Sequence, residues 1–107
     1  ISVDDPTTRE TIKSVYNRYG VITEPHGAVG WKGLESYLDG HGNDPDKLYV
    51  SVETAHPAKF PEEVKKAISV DPELPPSLQG LEDKEEVFDR LIPTFENFKH
   101  YLKRHYK

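Results

Sequence analysis

Cysteine is absent from the 107 residues, and with it go disulfide frameworks, thiol catalysis and Cys-based zinc sites. Methionine is absent too and the chain opens on Ile1, so a portion of a longer protein or a matured piece is expected rather than a whole translation product. No apolar run approaches the roughly 20 residues a spanning helix needs, and no membrane association is expected. Positive charge is scarce: 14 Lys and Arg stand against 19 Asp and Glu, a formal charge of -5 that disfavours a nucleic-acid binder. Nine Pro and seven Gly follow no collagen-like period. With 35% hydrophobic and 31% charged residues, the chain has the size of one domain and the means for a modest core. Four Phe, six Tyr and one Trp are spread among aliphatic residues, so it is no disordered tail.

Helix signals dominate what is there. Asp5-Pro6-Thr7 opens a first helix, with Pro in the first turn and a Thr7/Glu10 spacing that fits a capping box. Ile12, Val15, Tyr16 and Tyr19 form one apolar face, and Gly20 suits a left-handed stop. A short extended piece, Val21-Ile22-Thr23, leads to Pro25 and a second helix to about Asp39, with Ala28, Val29, Leu34 and Leu38 facing inward. After a polar loop, Leu48 to Thr54 alternates in side-chain character and reads as the one main strand. Leu48, Val50, Val52 and Thr54 share one face; Tyr49, Ser51 and Glu53 share the other. A third helix is expected from about Pro61 to Ser69, then an irregular crossing from Asp71 to Gly80, then helices over Lys84–Leu91 and Phe95–His105. A lone strand is not an independently stable sheet. The expected fold class is therefore α/β: a single partial domain over 1–107, mostly helical, whose one strand at 48–54 is flanked by helices while the rest of a parallel sheet is missing.

Few patterns carry chemistry by spacing alone. No His pair sits at i, i+4 beside a Glu, so the five His predict no metal site. His100 and His105, with Lys99, Lys103, Arg104 and Lys107, read as a solvated cationic helix end rather than a nucleic-acid patch. No G-x-S-x-G elbow, G-x-G-x-x-G or P-loop occurs. The segment Glu53-Thr54-Ala55-His56-Pro57-Ala58-Lys59-Phe60 delivers a hydroxyl at a strand's carboxyl end and then turns at Pro, where open α/β sheets bind ligands. A Thr closing a strand before an ordinary loop accounts for the same residues.

Thr54-Ala55-His56-Pro57-Ala58-Lys59-Phe60 resembles the T-A-H-P-A-K-F signature near the C-terminus of threonine synthases, and Pro25-His26-Gly27-Ala28-Val29-Gly30 resembles the family's D-P-H-(T/A)-A-V-(G/A) segment. The separation of the two is also similar to the family's. Glu10 to Ile22 resembles the approach to that segment, and Leu74-Pro75 with the closing helix resembles the tail, so the likeness covers almost the whole chain. Glu24 stands where the family usually has Asp, and Asp caps helices better, so a weakened cap is expected. Gly27, in place of Thr or Ala, predicts a looser turn.

The resemblance implies a fold type II (tryptophan-synthase-like) parent using pyridoxal 5'-phosphate to convert O-phospho-L-homoserine and water to L-threonine and phosphate. It implies that Thr54 binds the cofactor, through a hydrogen bond to the pyridine nitrogen. It implies no catalytic residue within this stretch: the cofactor's lysine and phosphate loop lie far upstream in the family, so Lys59 is not that lysine and the stretch alone is expected to be inactive. Hydrogen bonding beside the pocket accounts for His26 and His56 as well as proton transfer does. A cytoplasmic enzyme of threonine biosynthesis is expected, with self-association through exposed apolar surface if the sheet is truncated. The competing readings are a stand-alone small-molecule or regulatory module derived from such an enzyme, and a structural interaction domain.

Overall fold

Three helices hold the core of the computed structural model, which describes residues 1–106. Helix α1 spans Asp5–Tyr19, α2 Pro25–His41, α3 Pro61–Ile68 and α4 Phe95–His105. Pro at the start of α1, α2 and α3 costs nothing there, because the first amides of a helix lack intrahelical acceptors anyway. The first cap is Asp4, one residue earlier than expected: its carboxylate accepts from the Thr7 amide at 2.9 Å. Thr7 lies inside the helix, so the expected capping box is not what starts it. Gly20 closes α1 at φ 68, in the left-handed region where a Cβ is costly.

α1 packs on both α2 and α3. Ile12, Val15, Ala28 and Val64 are the buried apolar residues at this junction. Thr8 and Thr11 can be buried with them because each hydroxyl donates back to the carbonyl four residues earlier, Asp4 and Thr7, at 2.8 Å. Tyr19 and Val29 are the exceptions to the expected inward faces: both are exposed, and Tyr19 lies against Trp31 with ring centroids 5.5 Å apart.

The expected strand is not formed: among the described residues there is no strand at all, either at Leu48 to Thr54 or at Val21 to Thr23. The fold is mostly helical rather than α/β. The physical reason lies in pairing, since a strand exists only against a neighbour's ladder and this chain supplies none. The two-residue period is nonetheless real. Tyr49, Ser51 and Glu53 turn toward the helical side: the Tyr49 hydroxyl accepts from the Asp44 amide at 3.1 Å, and Ser51 and Glu53 lie against Gly30 and Gly27 of α2. Leu48, Val50 and Val52 are left 89%, 66% and 72% exposed.

The expected helix over Lys84–Leu91 is also not formed; residues 85–92 take no regular structure. Val87 and Phe88, which a helix would have to bury, are exposed, and helices this short depend on tertiary burial. α4 does form, capped by the Thr94 hydroxyl. The Tyr101 hydroxyl donates to Asp89 at 2.6 Å, which pushes its pKa up to about 12 and ties α4 to the segment before it. This C-terminal arm makes no helix interface comparable to that of α1 with α2. The radius of gyration is accordingly 18.8 Å, against about 13 Å for a compact chain of this length. No helix among the described residues is long and apolar enough to cross a membrane.

Candidate functional site

The N-terminus of α2 is where the two signature segments meet. Glu24 is its cap: the carboxylate accepts from the Gly27 amide at 2.8 Å through Oε1 and from the His26 amide at 2.9 Å through Oε2. The same Oε2 lies 2.6 Å from His26 Nδ1, and Glu24 is fully buried. Burial pushes the Glu24 carboxyl up, but the His26 amide, the His26 imidazole and the Gly27 amide outweigh it and hold the group below its ordinary range. The expectation of a weakened cap is therefore corrected. The longer Glu side chain folds back on two amides and reaches a ring nitrogen besides.

The other signature closes on this corner from outside. Glu53 Oε1 accepts from the Glu24 amide at 2.8 Å, supplying the cap residue itself with a partner. A Cβ on Gly27 would stand 2.6 Å from the Glu53 carboxyl carbon, and one on Gly30 would stand 2.9 Å from Ser51 Oγ. Gly27 thus makes room for a neighbour instead of loosening the turn. His26 packs edge-on against Phe60, with centroids 5.2 Å apart. His56 caps the short turn Pro57–Lys59, its Nδ1 accepting from the Ala58 amide at 3.1 Å. The separation of about thirty residues in sequence is closed by four side chains: Glu24, His26, Glu53 and Phe60.

Thr54 ends the 48–54 segment on the exposed side, following Leu48, Val50 and Val52, and the side-chain hydrogen bonds of the corner run through its neighbours and not through it. The residue is exposed. Lys59 is exposed in the turn after it. Among the described residues no group of three His, Asp or Glu is placed to hold a metal ion. Sequence reasoning singled out Thr54 and the two His but gave Glu24 only a weakened cap and Glu53 no role at all. For Glu53 the available signal was the register, which set it on one face with Tyr49 and Ser51.

Residues 27–102 match the family described as "Threonine synthase, C-terminal". The chain belongs to that family. It is 33% identical over 101 residues to the threonine synthase of Buchnera aphidicola subsp. Acyrthosiphon pisum, covering 94% of this chain and 22% of that one. Against the threonine synthase of Pseudomonas aeruginosa it is 38% identical over 87 residues, 80% of this chain and 18% of that one. A solved structure, the crystal structure of PLP-bound threonine synthase from Brucella melitensis, superposes with a TM-score of 0.59 at 33% identity, over 92% of this chain and 20% of that chain. The chain spans about a fifth of the length of the threonine synthases it matches. The family resemblance of the two signatures is thus borne out.

Proposed function

We propose that this chain is the C-terminal portion of a threonine synthase, contributing one wall of the site that converts O-phospho-L-homoserine and water to L-threonine and phosphate. The observation that carries the reading is geometric: the two signature segments, distant in sequence, are locked together at the start of α2 by Glu24, Glu53, His26 and Phe60. That lock leaves Thr54 exposed at the edge of the corner. Pyridoxal phosphate, when bound, supplies the electron sink for the reaction, and the protein supplies orientation and electrostatics.

The donor set fits the cofactor in one respect that can be read from this chain. A threonine hydroxyl can donate to a pyridine nitrogen, and being neutral it does not hold that nitrogen protonated as an Asp would. Thr54 is open to such a contact, while Glu53 beside it is turned away and occupied by the Glu24 amide. Thr54 then orients the ring, and the Glu24–Glu53 lock keeps the turn that carries Thr54 in place. In this reading the enzyme is cytoplasmic, and 1–107 is a partial domain. The exposed row Leu48, Val50 and Val52 and the bare C-terminal arm are surfaces that the rest of the catalytic domain, or a second copy, covers. A self-sufficient regulatory module would not leave a segment of strand-like period unpaired.

The test uses the complete protein. Wild type should release threonine and phosphate from O-phospho-L-homoserine. Thr54→Val should still bind the cofactor, with turnover lowered roughly tenfold to a hundredfold, from about 1–3 kcal/mol for one lost buried hydrogen bond. Thr54→Ser should be milder. Lys59→Ala should leave the visible absorbance of bound pyridoxal phosphate unchanged. Loss of that absorbance in Lys59→Ala, with Thr54→Val behaving as wild type, would overturn the assignment.

A further inference from the structure

The pairing of Glu24 with His26 has no part in the role given to Thr54. Glu24 accepts two amide hydrogens at 2.9 and 2.8 Å, and the His26 imidazole lies on the same carboxylate at 2.6 Å. An ionised carboxylate only accepts, so the ring nitrogen facing it must carry a hydrogen. His26 Nδ1 is therefore the protonated nitrogen, and in the neutral ring Nε2 is left with its lone pair free. The ring is held on two sides, by Glu24 at Nδ1 and by Phe60 edge-on at 5.2 Å. It is not enclosed: the His26 side chain is 64% exposed while its Glu24 partner is 0% exposed.

A structural histidine serving only the helix start would need neither the buried carboxylate nor the open nitrogen. The Glu24 carboxylate already satisfies the two amides, so the cap does not require the imidazole. What the pair achieves is a fixed tautomer, in the manner by which a carboxylate behind an imidazole sets the nitrogen presented in front. Both elements that steady it belong to the segment around Thr54: Phe60 closes that signature, and Glu53 directly precedes Thr54 and holds the Glu24 amide.

We propose that Glu24 is a positioning residue and that His26, its Nδ1–H fixed on Glu24, presents Nε2 to the active site as the hydrogen-bond acceptor for an N–H or O–H of the bound amino-acid substrate. The proposal rests on the threonine synthase reading and deepens it by assigning a substrate contact to the first signature.

The test uses the complete protein with 15N-labelled histidine and its bound cofactor. Long-range 15N–1H correlation should show the neutral His26 ring in the Nδ1–H form, and O-phospho-L-homoserine should move its Nε2 resonance. Glu24→Gln can donate from its amide to Nδ1, so it should drive the ring toward the Nε2–H form and lower kcat roughly tenfold or more, with cofactor absorbance retained. His26→Asn should lower kcat similarly without releasing the cofactor. His26 found as the Nε2–H form in wild type, or an Nε2 resonance that ignores substrate, overturns the proposal. So does full kcat in His26→Asn while wild type turns over substrate, and that result leaves the threonine synthase reading standing. A wild-type protein that releases no phosphate from O-phospho-L-homoserine overturns the threonine synthase reading itself and the proposal with it.

Discussion

Truncating Glu24 tests the corner that joins the two signatures. Glu24→Ala removes the acceptor of the Gly27 and His26 amides together, and the Gly27 bond is wholly buried. Loss of an N-cap side chain costs about 0.5–2 kcal/mol, and an amide stranded without water costs about 1–3 kcal/mol. These overlap, since the stranded amide is part of what the cap prevents. The pairing with His26 adds under about 1 kcal/mol, because that ring is largely exposed and screened. We therefore expect Glu24→Ala to lose about 2–3 kcal/mol, while Glu24→Gln, which keeps one carbonyl oxygen, loses about 1 kcal/mol. Glu24→Asp should stay within about 1 kcal/mol of wild type, as a shorter acid still caps. The assay is urea unfolding at pH 7, with hydrogen exchange at Gly27 and Ala28 to localise the effect. An Ala variant within about 0.5 kcal/mol of wild type, or an Asp variant worse than Ala, would refute the reasoning.

Acid should weaken the same corner. The Glu24 carboxyl lies below its ordinary 4.5 in the folded chain, so its contribution is complete above about that pH and is lost as pH falls through the lower folded value. Glu24→Gln should flatten the fall in stability measured below pH 4.5. Gly27→Ala should gain up to about 1 kcal/mol of helix propensity and lose a comparable amount by displacing the Glu53 carboxylate, leaving stability near wild type while speeding hydrogen exchange at the Glu24 amide. Ile12→Ala, at a residue with no exposure, should cost about 2–4 kcal/mol in urea unfolding. If Leu48, Val50 and Val52 are covered in the assembled protein, Val50→Lys should reduce the yield of soluble complete enzyme; unchanged yield and activity would show that face to be free.

The helical core was legible because its signals are local. Pro at the first turn, an acceptor before it, Gly after the last turn and a period near 3.6 are all set within a few residues, as α1 shows. What was misread depended on partners outside the segment. Leu48 to Thr54 has the period of a strand and keeps that period in the structure, yet a strand is a relation between two segments and one of them is wanting. Lys84 to Leu91 has helix-forming residues but nothing on which to bury Val87 and Phe88. At the site, the motifs pointed to the corner at the start of α2, while comparison by residue type misjudged Glu24 and Gly27. Each departs from the family's usual residue in the direction that a weaker corner would suggest. Together with Glu53 they do the opposite: a longer acid reaches the His26 ring, and a missing Cβ admits a second carboxylate to the amide that the first cannot reach.

That compensation bears on how the proposed wall of the site is built. The corner is held by contacts within this chain, so its shape does not wait for the cofactor or for the rest of the enzyme. The surface that Thr54 shares with Leu48, Val50 and Val52 has the opposite character, for it is positioned but uncovered. A binding wall gains from this division: rigid support behind reduces the ordering cost when ligand arrives in front. It also means that damage to Glu24 and damage to Thr54 should be distinguishable. The first should cost stability as well as turnover, and the second should slow turnover in a protein as stable as wild type.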